Sequence, residues 1–381
     1  MPSTPPQRIL VRGVNWLGDA VMSTPALQRL REARPEARIT LLTPEKLKGL
    51  WGGHPAIDAV LTFSGTESIW SVGRRLRAEK FDLGLALPNS PRSALELWLA
   101  GIPQRIGYAR PWRNWLLTQR VAPRPGMISM HKRSAAEIKN LIRQAPAPAA
   151  ANPPLTAHHI HQYLHLAAAL GANPEPLPPR LVITPEVIDR VIARLKLDPA
   201  QPWFGLNASA EYGPAKRWPE ERFTEAAIQI QRRAKCRWLI FGLGSEAEPC
   251  LRIATNIYRA TEDEFGRDEV ARNPHVINLA GATNLRELCA ALKLCRVLLT
   301  NDSGPMHVAA ALGTPVVVPF GSTSPGLTGP GLPGDPRHTS LRAGVPCSPC
   351  FLRTCPIDFR CMTGISIESV VEAVVRSTET Q

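Results

Sequence analysis

Residues 275–321, HVINLAGATNLRELCAALKLCRVLLTNDSGPMHVAAALGTPVVVPFG, decide the fold. HVINLAG, RVLLTND and VVVPFG are short apolar runs that read as buried strands, and NLRELCAALKLC and PMHVAAALG between them read as helices. Such alternation with short connections builds a parallel sheet with right-handed crossovers. Working outward, WFGLNAS and CRWLIFGLG are two further strands. PEERFTEAAIQIQRRA is a helix with Pro219 near its start and two acids in its first turn, as the helix dipole favours. EAEPCLRIATNIYRA is another helix, and SIESVVEAVVRST closes the chain as an amphipathic one.

The N-terminal half opens in the same way. RILVRG is a strand, VNWLG a loop, and DAVMSTPALQRLREAR a single helix with Pro25 in its tolerant early part. ARITLLTP and FDLGLALP are further strands. The prediction is an α/β protein of two doubly wound domains, with ligands at the carboxyl ends of the strands. QAPAPAAANPP interrupts the pattern, and nine prolines fall between Pro146 and Pro185. A short helix, HHIHQYLHLAAALG, lies inside that region. Residues 144–185 therefore read as a linker region. The expected domains are 1–180 and 181–362, with 363–381 as a closing helix.

Composition excludes several classes. The 381 residues are 44% hydrophobic and 20% charged, as in a soluble globular chain of about two domains. The 38 prolines and 27 glycines stay below the roughly 25–30% share that marks low-complexity chains. No apolar run approaches the ~18 residues of a transmembrane helix. MPSTPPQR lacks the apolar core of a secretory signal, so a cytoplasmic protein is expected. Its eight cysteines are then reduced thiols or metal ligands. The net charge of +13 attracts polyanions. The basic residues are scattered and match no nucleic-acid-binding motif, so no nucleic-acid partner is expected. The absence of G-x-G-x-x-G speaks against a dinucleotide-dependent oxidoreductase.

Four strand-to-helix loops carry candidate chemistry. In Asn15-Trp16-Leu17-Gly18-Asp19, the carboxylate of Asp19 suits either an N-cap or a base that takes a proton from a substrate hydroxyl. The loop from Asn207 to Pro219 contains Ser209, Lys216 and Arg217 and leads into a helix. Helix-terminal amides and Lys216 together suit a diphosphate, whereas solvated surface cations are the plain alternative. Glu246, in Gly242-Leu243-Gly244-Ser245-Glu246, suits ribose hydroxyls or a helix cap. Thr300-Asn301-Asp302-Ser303-Gly304-Pro305-Met306-His307 is the densest polar loop, and Pro305 suits the first turn of its helix. There Asp302 would accept from sugar hydroxyls while the helix amides take phosphate, with His307 near the same end.

Two clusters need a reading of their own. Cys347, Cys350, Cys355 and Cys361 fall within 15 residues and offer either a tetrahedral zinc site or reduced structural thiols. His158, His159, His161 and His165 lack the H-E-x-x-H form and read as exposed residues of a linker helix.

Taken together, R-I-L-V-x-x-x-x-x-L-G-D-x-V-M-x-x-P, A-E-Y-G-P-A-K-R-W-P and N-D-S-G-P-M-H-V-A-A-A-L resemble the ADP-heptose:lipopolysaccharide heptosyltransferases, glycosyltransferase family 9. The P-A-K-R-W-P loop and the cysteine-rich tail look most like the type II branch. The resemblance runs from Arg8 to the last helix. It implies a GT-B fold of two Rossmann-like domains, with donor on the C-terminal domain and acceptor on the N-terminal one. It implies inverting transfer of L-glycero-D-manno-heptose from ADP-heptose to heptosyl-Kdo2-lipid A, with no metal or other cofactor required. A type I acceptor, a protein or another glycan is the alternative acceptor. By the same resemblance Asp19 is the base. Ser209, Lys216, Glu246, Thr283, Asp302, Ser303, Gly304 and His307 bind the donor. The family more often has Leu where this chain has Pro305, a change the first helical turn tolerates. A phosphorylated lipid acceptor implies a cytoplasmic enzyme that is peripheral at the inner face of the inner membrane. Arg74, Arg75 and Arg77, with Arg110, Arg113, Lys132 and Arg133, are the candidate acceptor contacts.

Overall fold

The computed structural model describes residues 7–143, 153–265 and 274–379. Its strands form two all-parallel sheets of six. The first contains β1 (Arg8–Arg12), β2 (Arg38–Pro44), β3 (Ala59–Phe63), β4 (Leu83–Ala86), β5 (Gln104–Tyr108) and β6 (Gln119–Val121). Their order is β3-β2-β1-β4-β5-β6. The second contains β7 (Trp203–Asn207), β8 (Arg237–Ile240), β9 (Val276–Asn278), β10 (Leu298–Thr300), β11 (Val316–Pro319) and β12 (His338–Leu341). Their order is β12-β11-β10-β7-β8-β9. In each sheet the winding reverses beside the first strand, at β1/β4 and at β7/β10. This is the doubly wound Rossmann arrangement expected from the alternation.

The central strands are mostly apolar because helices cover both faces of each sheet. Ile9, Leu10 and Val11 of β1 are fully buried, as are Val316, Val317 and Val318 of β11. Helices start where their chemistry allows. Ser90 caps helix Pro91–Leu99 by accepting from the Ser93 amide, and Pro91 occupies the first turn. Among the described residues no helix is long and apolar enough to cross a membrane.

The structure departs from the sequence reading in four places. The stretch after Asp19 is two helices, Leu17–Met22 and Thr24–Ala33, rather than one. The hydroxyls of Ser23 and Thr24 donate to the carbonyls of Ala20 and Val21, and Pro25 then starts the second helix. Strands β3, β5, β6 and β12 escaped the reading because they are short and carry Thr, Gln, Arg or His within them.

The unit boundaries differ too. One unit comprises Met1–Met127 and His159–Val182, the other Ile128–His158 and Ile183–Gln381. The Pro/Ala stretch 144–152 lies outside the described residues. The closing helix, Ile367–Glu379, is part of the second unit, where Val370, Val371 and Val374 join its core. Finally, Ile160–Ala168 is not an exposed linker helix. Ile160, Leu164 and Ala167 pack against Met22 and Ala26 in the first unit.

Candidate functional site

At the β1/β4 switch point of the first unit, the loop after β1 and the loop after β4 border a cavity of about 280 Å³. Asn15, Asp19, Ser90, Tyr108, His159 and Tyr163 are among its lining residues. Asp19 sits in the first turn of Leu17–Met22, whose N-cap is Trp16, so its carboxylate is not the cap. Instead Asp19 Oδ1 accepts a hydrogen bond from the Tyr163 hydroxyl at 3.0 Å. Desolvation and the adjoining Asp19 charge push the Tyr163 phenol well above its usual range, so it remains a neutral donor. Burial lowers the pKa of His159 and the Asp19 charge opposes the shift.

The loop that carries Asp19 is pinned from below. Arg12 is buried, and its Nε donates to Glu96 Oε2 at 2.7 Å. Its Nη1 donates to the Gly13 carbonyl and, at 2.9 Å, to Asn15 Oδ1. The guanidinium also lies 4.4 Å from the Phe63 ring centroid. Tyr108 closes the cavity wall by donating to the Gln162 carbonyl at 2.7 Å.

In the second unit the loops after β7 and β10 are cross-linked at the other switch point. Asn207 Nδ2 donates to Thr300 Oγ1 at 3.0 Å and to Ser303 Oγ at 3.1 Å. Asn301 accepts from the Trp218 amide at 2.9 Å and donates to the Ala208 carbonyl at 2.6 Å. Lys216 Nζ meets Asp302 Oδ2 at 2.6 Å, and the Thr323 hydroxyl donates to the same oxygen. The Lys216 ammonium also lies 4.9 Å from the Tyr212 ring centroid. Ser303 is the N-cap of helix Gly304–Ala311, yet its side chain makes no cap bond to the first-turn amides. His307 is buried in that helix. Ser209 is half-buried just after β7.

The ribose-side candidates form a separate edge of the same unit. Glu246 Oε2 accepts from the Leu243 amide at 2.9 Å, so this acid caps its own turn, and Arg217 lies 3.8 Å away. Gly281, at φ +71°, approaches so closely that a Cβ there would stand 2.8 Å from Gly244 Cα. The loop holding Thr283 therefore adjoins the loop holding Glu246.

The arginine candidates divide. Arg74 and Arg77 are exposed on helix Ile69–Ala78. Arg75 is engaged by the Thr62 carbonyl at 2.7 Å and by Glu67 at 3.2 Å. Arg113 is fully buried and donates to the Pro88 carbonyl at 2.6 Å, and burial lowers its pKa to about 10. It is a structural cation, not an acceptor contact. Lys132 and Arg133 belong to the second unit, where Arg133 Nη1 holds the Pro346 carbonyl at 3.1 Å.

Three of the four clustered cysteines are buried in apolar surroundings. Among the described residues no three of His, Cys, Asp and Glu are gathered as a metal ion would require. Cys347 and Cys350 pack with Ile138 in one apolar cluster, while Cys361 joins the main core beside Met362. Burial, and after it the neighbouring thiols of the same cluster, raises all three thiols.

Sequence reading missed Tyr163, His159 and Ser90. No spacing rule links position 19 to position 163, since only the packing of Ile160–Ala168 on Thr24–Ala33 brings them together. The histidine run was the one visible signal, and it pointed outward. In the structure His158 bonds the Gly329 carbonyl at 3.1 Å, and His165 stacks on Tyr108 at 5.9 Å.

Comparison with known proteins bears on this arrangement. Lipopolysaccharide heptosyltransferase 2 of Escherichia coli is 29% identical over 85% of this chain and 85% of its own. Lipooligosaccharide heptosyltransferase 2 of Haemophilus influenzae is 28% identical over 84% of this chain and 85% of its own. The structure of E. coli ADP-heptose lps heptosyltransferase II superposes with a TM-score of 0.73 at 25% identity, covering 98% of this chain and 99% of that one. The fold is accordingly GT-B. The model of glycosyltransferase family 9 (heptosyltransferase) matches residues 69–359, and the chain belongs to that family.

Proposed function

We propose that this glycosyltransferase moves L-glycero-D-manno-heptose from ADP-heptose to the heptosyl-Kdo2-lipid A inner core of lipopolysaccharide, with inversion. The observation that carries this reading is the Asp19 carboxylate, which lines the β1/β4 cavity with one oxygen held by Tyr163. The names of the relatives support heptose as the group moved and the class of acceptor, and the name of the E. coli structure supports ADP-heptose as the donor.

In the reaction an acceptor hydroxyl oxygen forms a bond to the heptose anomeric carbon. The bond from that carbon to the β-phosphate oxygen breaks, and its electron pair leaves with ADP. Asp19 takes the hydroxyl proton, which raises the nucleophilicity of the oxygen as the bond forms. Charge that develops on the departing diphosphate needs fixed positive partners. The amides at the start of Gly304–Ala311, and Lys216 on exchanging Asp302 for the diphosphate, would supply them, so the proposal requires no metal. Asp302, Ser303, Gly304 and His307 line the heptose and phosphate side of that donor site. Ser209 joins them there, and Glu246 and Thr283 face the ribose and adenine. Arg74 and Arg77 meet acceptor phosphates, and Arg75 would do so only on leaving Glu67. The enzyme acts as a peripheral protein at the inner face of the cytoplasmic membrane.

The test is transfer from ADP-heptose to purified Kdo2-lipid A and heptosyl-Kdo2-lipid A. Product from the second acceptor alone is expected. Product from the first alone would reassign the chain to type I. Asp19→Ala should abolish transfer while leaving ADP binding intact by calorimetry, and near-normal turnover would remove Asp19 from the role.

A further inference from the structure

Exposure divides the nine tryptophans, and every exposed one lies in the first unit. Trp51, Trp203, Trp218 and Trp238 are buried. Trp16, Trp70, Trp98, Trp112 and Trp115 are 45% to 85% exposed, and all five belong to the first unit. Among the described residues, every exposed large hydrophobic side chain of that unit is a tryptophan. Trp16 lines the cavity already described. The other four lie on three neighbouring elements.

Trp98, at the end of helix Pro91–Leu99, meets Trp115 edge-on at 6.2 Å between ring centroids. Trp112 is three residues before Trp115, is 85% exposed, and has a φ of +68°. Such a backbone is costly for a bulky side chain and persists only where its surroundings impose it. The adjacent Arg113 is buried and tied to the Pro88 carbonyl, which anchors this turn. Helix Ile69–Ala78 packs against helix Pro91–Leu99 so closely that a Cβ on Gly73 would stand 2.5 Å from Leu99 Cβ. On that helix Trp70, Arg74 and Arg77 recur at the spacing of one helical face, and all three are exposed.

The charge follows the same division. The first unit holds nineteen Lys and Arg against ten Asp and Glu, so it carries most of the net charge of +13. Residues 101–127 hold five arginines and no acid. Indole rings with arginines and no aliphatic core match the headgroup layer of a bilayer, where rings sit at the polar boundary and cations meet lipid phosphates. No described helix can cross a membrane, so contact with a bilayer would have to be superficial.

We propose that Trp70, Trp98, Trp112 and Trp115, with Arg74 and Arg77, form a surface that seats the first unit on an anionic lipid bilayer. This rests on the reading that the acceptor is a phosphorylated lipid, and it names the face that reaches the membrane carrying it.

The test is sedimentation of the full chain with vesicles of phosphatidylglycerol and phosphatidylethanolamine, beside vesicles of phosphatidylcholine alone. The parent should bind the anionic vesicles, less so at high salt. Withdrawing about 60 Å² of ring from the interface weakens binding on the order of tenfold per tryptophan. Trp112→Ser/Trp115→Ser should therefore lose on the order of a hundredfold in vesicle affinity by that same estimate. Its melting temperature and its transfer to a de-acylated, water-soluble acceptor should stay at the parent level. Sedimentation equal to the parent's overturns the proposal. So does a change of oligomeric state, which would make the patch a protein interface. A variant that also fails on the soluble acceptor places the tryptophans in the acceptor site instead. Failure of the parent itself to transfer heptose would overturn the proposed reaction while leaving the vesicle result to be read separately.

Discussion

Tyr163→Phe removes one hydroxyl from the candidate site and leaves the ring that packs with Ile160 and Leu164. Its effect follows from the 3.0 Å bond to Asp19. A hydrogen bond to an ionised group contributes about 1.5–3 kcal/mol, and the partly exposed Asp19 places this one near the lower end. The bond favours the charged carboxylate, so its loss raises the pH at which Asp19 becomes ionised. One pKa unit corresponds to about 1.4 kcal/mol. The acid limb of kcat should therefore move up by about one pH unit in the variant. Two units above that limb the rate should return to within roughly threefold of the parent, because the base is again charged. The assay is the initial rate of ADP release across pH 5 to 9 with saturating acceptor. An unmoved acid limb would refute the assignment of Tyr163 as the residue that positions and charges Asp19. A uniform loss at every pH would refute it equally, by showing a structural defect.

Other outcomes follow from the same interior. Glu96→Ala leaves Arg12 buried without its partner and should destabilise the chain by about 3–5 kcal/mol in urea unfolding, whereas a surface ion pair would cost about 1 kcal/mol or less. The side chains of His54, His275 and His338 are buried, and burial lowers each pKa to about 4. Their unfolded forms bind protons first, so the stability they give is complete above about pH 6.5 and is lost as pH falls toward 4. Thermal melts across that window should fall steadily, and a flat profile would contradict the burial of these rings. Of the eight thiols, seven are buried and Cys355 is half-buried. A thiol reagent should therefore modify one cysteine quickly in the native chain and eight after denaturation, and purified protein should carry zinc well below one ion per chain.

The apolar runs at Ile9–Val11 and Val316–Val318 were legible because a strand buried on both faces has no polar position to spare. For the same reason β6 and β12 were not: at the sheet edges, polar residues break the run. The loops after β1, β7 and β10 were legible as polar strand-to-helix loops because Asp, Asn, Ser and Lys crowd the carboxyl ends of strands, where doubly wound sheets bind ligands. What those loops do with their side chains was not. Lys216 and Asp302 are 86 positions apart, and only the adjacency of β7 and β10 closes their ion pair.

By itself, then, the sequence determined the parallel sheets, the polar loops at their ends and the family motif around Asp19. Periodicity and local turn chemistry are written residue by residue, so they survive without coordinates. The tertiary structure alone decided which donor holds Asp19, that Arg113 is buried while Arg74 and Arg77 are exposed, and that the histidine helix is part of the first unit. Those outcomes depend on how elements far apart in the chain pack, and burial there sets both the charge state and the reach of each side chain.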